Sequence, residues 1–228
     1  MEKGINRFLL DKSDLPLDEG NVFAKLQDFQ EFMMMYNCAI KEVRTKFEVL
    51  NDDLATAHNR NPIEMIKSRI KKPESIFKKL VRKNYEVTMS SILQNINDVA
   101  GVRVICSFVD DIYEVAKMFI SQDDVTLISV KDYIKTPKEN GYRSFHIIVS
   151  IPVFFANRKE NIKVEVQFRT IAMDFWASLE HTMKYKKDID DADTIMRELK
   201  ECADVIASTD IRMQEINKKL HESKKVNK

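Results

Sequence analysis

Asp98 and Glu165 are the two carboxylates in this chain best placed to do chemistry. Asp98 stands just before the strand-like run VAGVRVICSF (99–108), and Glu165 lies within another, IKVEVQFRT (162–170). Read with the two-residue period of a strand, Ile162, Val164, Val166 and Phe168 face one way, while Lys163, Glu165, Gln167 and Arg169 face the other. The first face is core; the second is either a half-solvated surface or the floor of a site. Brought together at one end of a sheet, Asp98 and Glu165 could hold Mg²⁺, a hard cation that takes oxygen ligands and is often completed by substrate phosphates. A structural ion pair of either carboxylate with Arg103 or Arg169 satisfies the same pattern. Arg103 in particular sits in an otherwise apolar strand and needs a partner.

Cations suited to phosphate cluster in two places. Between residues 60 and 83, nine positive residues face only Glu64 and Glu74. On the helix predicted to start near Pro73, Ser75, Lys79 and Arg82 are spaced i, i+4, i+7 and share a stripe, with Ile76, Phe77 and Leu80 on another. That stripe suits a polyphosphate, although a solvated basic face or a nonspecific RNA patch has the same composition. The connection KDYIKTPKENGYRSFH supplies Lys131, Lys135, Lys138 and Arg143 with Tyr133 and Tyr142, which together could neutralise phosphate and stack a base; an ordinary charged hairpin loop reads the same way. His146 could contact a phosphate or be a satisfied core histidine, and no Ser/His/Asp or Cys/His nucleophile set can be assembled.

The elements that must position these groups are legible from periodicity. Apolar residues from Val22 to Leu54 recur at helical steps and predict one long helix over about 21–57. A short helix from Pro62, the helix at Pro73 and another over 88–96 follow. Strands are expected at 99–108, 125–130, 143–151 and 162–169, with a helix over 110–121 between the first two. Helices near 170–187 and 191–222 close the chain, with Trp176 and Leu179 read as core and His58 and His221 as exposed. Helices outside and a mixed sheet of about five strands inside give an α+β, α/β-like architecture.

Composition narrows the class. Of 228 residues, 37 are Lys or Arg and 36 are Asp or Glu, so no global field draws in nucleic acid or an anionic membrane. Neither DNA nor a membrane is an expected partner. Three scattered cysteines, Cys38, Cys106 and Cys202, fit a reducing compartment, and no apolar run is long enough to span a bilayer or lead secretion, so a cytoplasmic protein is expected. With only four glycines, neither a Walker loop nor a dinucleotide fingerprint exists, and any phosphate must be met by side-chain cations.

The ordered set RIKKPESIFKKLVRK, INDVAGVRVICSFVDDI, DYIKTPKENGYRSFH and VEVQFRTIAMDFWASLEH resembles the synthetase domain of the RelA/SpoT family, and the chain length resembles its single-domain small alarmone synthetases. The match covers about 60–190, with 21–57 as an N-terminal helical extension and 191–222 as a C-terminal helix around one synthetase domain of nucleotidyltransferase-like fold. The resemblance implies a Mg²⁺-dependent transfer of pyrophosphate from ATP to the 3′-hydroxyl of GDP or GTP, releasing AMP and making ppGpp or pppGpp in the stringent response. It implies that Asp98 and Glu165 are catalytic and bind the metal; that Arg69 and Arg103 sandwich adenine; and that Lys71, Ser75, Lys79 and Arg82 meet the ATP phosphates. It implies that Tyr142 stacks guanine with Lys131, Lys138, His146 and Gln167 nearby, and that Asp174 meets the guanine edge, where an Asn also occurs in relatives. No His-Asp motif of the family's hydrolase domain lies upstream, so synthesis alone is implied, and relatives imply a homotetramer. A different nucleotidyltransferase on the same sheet, or a noncatalytic module binding RNA through residues 60–83, remain as alternatives.

Overall fold

The computed structural model describes residues 19–58, 60–184 and 192–226; the side chains of His58 and His221 lie outside the described residues. The described chain runs α1 (Glu19–His58), β1 (Ile63–Ile70), α2 (Pro73–Arg82), α3 (Met89–Asn95), β2 (Ala100–Cys106), α4 (Val109–Ile120), β3 (Thr126–Asp132), β4 (Phe145–Phe154), β5 (Lys159–Thr170), α5 (Ile171–Lys184) and α6 (Ala192–Val226). The five strands form one mixed sheet in the order β1-β2-β5-β4-β3. Only the β2–β5 pair is parallel.

The apolar face of β5 fixes the core. Ile162, Val164, Val166 and Phe168 are buried beneath α1 and α4. Phe32, Tyr36, Ala39, Ile40, Val43, Phe47 and Leu54 recur at steps of three and four, so one side of the 40-residue α1 lies on the sheet. At the centre Phe47 stacks on Phe119 of α4, ring centroids 4.4 Å apart, and meets Phe168 of β5 edge-on at 5.6 Å. Each such ring stabilises the fold by about 1.5–3 kcal/mol on burial.

β1 corrects the sequence reading, which expected a short helix from Pro62. Ile63, Ile66 and Ile70 recur at steps of three and four, as on a helix, because a bulge between Ile63 and Met65 breaks the two-residue alternation. The strand pairs antiparallel to β2 from Ile63 to Ile70 and leaves Lys67 and Arg69 on the face opposite the core. Leu179 is a second correction: 41% exposed, it is not core, whereas Trp176 is buried and donates its indole N–H to the Leu199 carbonyl of α6 at 2.8 Å.

The loop from Tyr133 to Ser144 is held from behind by α5 and α6. Gly141 adopts φ +86°, and a Cβ built there would come within 2.5 Å of the Cβ of Ala203 on α6. Arg143 donates to the carbonyls of Gly141 and Ala203 and pairs with Asp204, while Asn140 donates to Glu180 of α5. Arg143, expected among the phosphate-neutralising cations, is thereby a brace for this loop. Gly141→Ala is expected to cost about 1–2 kcal/mol from the left-handed backbone alone, lowering the melting temperature by about 2–8 °C. A melting curve unchanged by the substitution would show that α6 does not close on the loop in this way.

Candidate active site

Register across the sheet builds the site face row by row. One row reads Lys67, Arg103, Gln167, His146, Lys131 from β1 to β3, and the adjacent row holds Arg69, Gly101, Glu165 and Ile148. Gly101 beside Glu165 adds no side chain to this row. The polar face of β5 is the middle strand of this floor.

Asp98 enters at the start of β2. Its Oδ2 accepts from Lys71 Nζ at 2.7 Å and its Oδ1 from Lys79 Nζ at 2.8 Å. The backbone N–H of Lys71 donates to the Val99 carbonyl, which holds the end of β1 against the start of β2. Burial pushes the Asp98 carboxyl up, but the two lysines outweigh it and hold the group below the usual carboxylate range. Glu165 behaves alike: burial raises it, His146 and then Gln167 lower it further than that, and Asp98 is close enough to push it back up in part. Gln167 Nε2 donates to Glu165 Oε2 at 2.8 Å, and His146 Nδ1 lies 3.6 Å from Oε1. Two ionised carboxylates that sense each other suit a hard cation, with phosphate or water oxygens completing the shell. Among the described residues no set of three or more His, Cys, Asp or Glu is grouped to enclose a metal without such help.

Asp174, on the first turn of α5, is the hub of the second charge cluster. Its Oδ1 accepts from Arg103 and Arg169 at 3.0 Å each, and its Oδ2 from Lys67 at 2.9 Å. Burial raises this carboxyl, and Lys67, Arg103 and Arg169 together leave it lowered. The partner that Arg103 required is thus Asp174 rather than Asp98 or Glu165. Arg69, the diagonal neighbour of Arg103 on the same face, is near enough to repel it. The Nε atoms of Arg103 and Arg169 are buried without an acceptor among the described residues.

On the β4 side, Tyr142 forms an aromatic nest with Tyr133 and His146: edge-on centroids lie 6.0 Å from Tyr142 to Tyr133 and 5.3 Å from Tyr133 to His146. Lys138 Nζ sits 4.7 Å from both tyrosine rings. Lys131 is exposed at the end of its row. Ser75 and Arg82 are exposed on α2, and Arg82 lies in its last turn. Lys135 is drawn away instead, over the Tyr113 ring and beside Asp132. Sequence reasoning missed Lys67, hidden by the helical reading of β1, and the central position of Arg169. The available signal for Arg169 was its place four residues after Glu165 on one strand face.

Known proteins resemble this chain in sequence and fold. The family described as "Region found in RelA / SpoT proteins" matches residues 68–190. The chain is 45% identical to GTP pyrophosphokinase YwaC of Bacillus subtilis over 195 residues, covering 86% of this chain and 93% of that one. It superposes on the crystal structure of small alarmone synthetase 2 from the same organism with TM-score 0.76 and 44% identity, covering 84% of this chain and 99% of that one. For small alarmone synthetase 1 of that organism, bound to its product pppGpp, the TM-score is 0.77 at 32% identity, with 85% and 98% covered. On the ordered motifs, the shared fold and an identity of this extent, the chain belongs to the RelA/SpoT family.

Proposed function

We propose that this protein is a (p)ppGpp synthetase that transfers the β,γ-pyrophosphoryl group of ATP to the 3′-hydroxyl of GDP or GTP. The observation that carries the reading is Glu165 itself: an ionised carboxylate on the sheet floor, with cations toward β1 and α2 and an aromatic nest toward β4. The relative bound to pppGpp supports the same chemistry.

In this reading Arg69 and Arg103 hold adenine between guanidinium planes. Lys71 and Lys79 exchange Asp98 for the ATP phosphates, with Ser75 and Arg82 beside them on α2. Tyr142 stacks guanine, Lys131 and Lys138 neutralise the guanine nucleotide's phosphates, and His146 and Gln167 border the reacting centre. Asp174 acts from the guanine side while balancing three cations. Glu165 orients the 3′-hydroxyl and takes its proton as the new bond from that oxygen to the β-phosphorus forms; the bond between β-phosphorus and the bridging oxygen breaks, and AMP leaves with that oxygen. Such a transfer needs alignment and charge neutralisation more than a covalent nucleophile. Asp98 and Glu165 would hold Mg²⁺, which supplies neutralisation of the phosphate oxygens.

The protein is taken to work in the cytoplasm, where ATP and GTP are its substrates; among the described residues no helix is long and apolar enough to cross a membrane. Association of copies is supported by exposed apolar residues at helical spacing, Ile171, Phe175, Leu179 and Met183 on α5 and Met213, Ile216 and Leu220 on α6. Sedimentation is expected to report a homotetramer; a monomer at micromolar concentration would reject that assembly.

Incubation with ATP, GDP or GTP and Mg²⁺ is expected to yield AMP and a guanine nucleotide carrying a 3′-pyrophosphate. Release of pyrophosphate would indicate nucleotidyl transfer instead, and salt-sensitive RNA binding with no turnover would indicate a binding module. Glu165→Gln, nearly isosteric, is expected to lower turnover by about 10²- to 10⁴-fold with an unchanged melting temperature. Near wild-type turnover in that variant would remove Glu165 from the chemistry. Tyr142→Ala forfeits a base-stacking interaction of about 1–3 kcal/mol, so the Michaelis constant for GDP or GTP should rise roughly 5-fold to over 100-fold. The constant for ATP should move little; an equal rise for both nucleotides would mean that the ring merely packs the loop.

A further inference from the structure

Arg169 sits under Tyr142 with its guanidinium carbon 5.2 Å from the ring centroid, and it is only 5% exposed. Its Nη1 is spent on Asp174. Its Nη2 donates to the Tyr142 hydroxyl oxygen at 2.8 Å and lies 3.4 Å from Gln167 Oε1. A guanidinium can only donate, so both neighbours must present an oxygen to it.

That requirement propagates along two arms. The Tyr142 hydroxyl, already accepting from Arg169, is free to give its own hydrogen to His146 Nε2, 2.9 Å away. A neutral imidazole that accepts at Nε2 carries its proton on Nδ1, the nitrogen 3.6 Å from Glu165 Oε1. In the other arm the Gln167 carbonyl faces Arg169, which leaves its NH₂ to donate to Glu165 Oε2 at 2.8 Å. Both arms begin at one guanidinium nitrogen and face different oxygens of one carboxylate. Hydroxyl, imidazole and amide can each be reversed by rotation, tautomerisation or a flip. Arg169 cannot, and Glu165 at the far end, ionised, only accepts, so the two fixed ends agree on one direction. Asp174 holds Arg169 in place and is itself held by Lys67 and Arg103.

We propose that Arg169 is a positioning residue that sets the direction of two arms facing Glu165, one hydrogen-bonded to it through Gln167 and one reaching within 3.6 Å of it at His146, so that donors rather than lone pairs face the carboxylate. The inference rests on the reading of Glu165 as the catalytic carboxylate. It assigns the two parts of Tyr142 different tasks, the ring to the guanine base and the hydroxyl to the relay.

Heteronuclear NMR of the imidazole nitrogens in the nucleotide-free protein, at mildly alkaline pH with His146 identified by loss of its signals in His146→Gln, reads the relay without turnover. The wild type should show the Nδ1–H tautomer. Arg169→Met, which removes every donor, should mix the two tautomers and lower kcat by about 10- to 100-fold, the scale of a small misplacement at a reacting centre. Arg169→Lys, still a donor only, should restore the tautomer in large part. Tyr142→Phe should mix the tautomers and lower kcat while leaving the Michaelis constant for GTP within about threefold, because the stacked ring is kept.

A wild-type tautomer population and kcat in a folded Arg169→Met protein would overturn the proposal. If that variant fails to fold, Tyr142→Phe decides alone, and an unchanged tautomer there overturns it equally. Near wild-type turnover in Glu165→Gln would instead bring down the underlying reading, whatever the tautomer shows.

Discussion

Everything at the site depends on the two faces of β5. Burying Ile162, Val164, Val166 and Phe168 against α1 and α4 stabilises one register of this strand, and a slip of one residue would turn all four to the site face and the polar residues into the core. At roughly 1.5–3 kcal/mol per side chain, that slip is prohibitive. The hydrophobic effect has no direction of its own, yet through the pleat it aims Glu165, Gln167 and Arg169. Parallel pairing with β2 and antiparallel pairing with β4 then bring Arg103 and His146 into the same row.

Electrostatics does the second part of the work. On the floor and its rim, Lys67, Lys71, Lys79, Arg103 and Arg169 outnumber Asp98, Glu165 and Asp174. Partly buried pairs of this kind gain little net stability, because desolvation offsets attraction. Their value is that the cations are gathered on one face with a surplus of positive charge. A polyphosphate entering there meets groups already gathered, and little side-chain ordering is left to be done on binding.

Much of this was legible in the sequence, and what was not has definite causes. The alternation of β5, the helical period of α1 and the position of Asp98 at a strand start are local patterns, and the structure reproduces them. β1 was misread because one bulge turned its alternation into an apparent helical step. The partner of Arg103 was invisible because Asp174 lies 71 residues further along. Arg143 looked like one more loop cation, and only the packing of α6 shows that it faces backward to Asp204. Leu179 obeys the core period of α5 yet lies on its outer side, since a period names a face without saying what covers it.

α6 touches three parts of the molecule that are distant in sequence. Ala203 meets Gly141 in the loop that carries Tyr142, Asp210 accepts from Thr170 at the end of β5 at 2.6 Å, and Gln214 and Lys218 engage Asp110 at the start of α4. A helix fastened at three points opens as a unit rather than by fraying from one end, so the aromatic loop and the end of β5 share its opening free energy. The guanidinium beneath Tyr142 belongs to the residue just before Thr170, so local unfolding of α6 loosens the hydrogen-bonded contacts of Arg169 and the aromatic nest together.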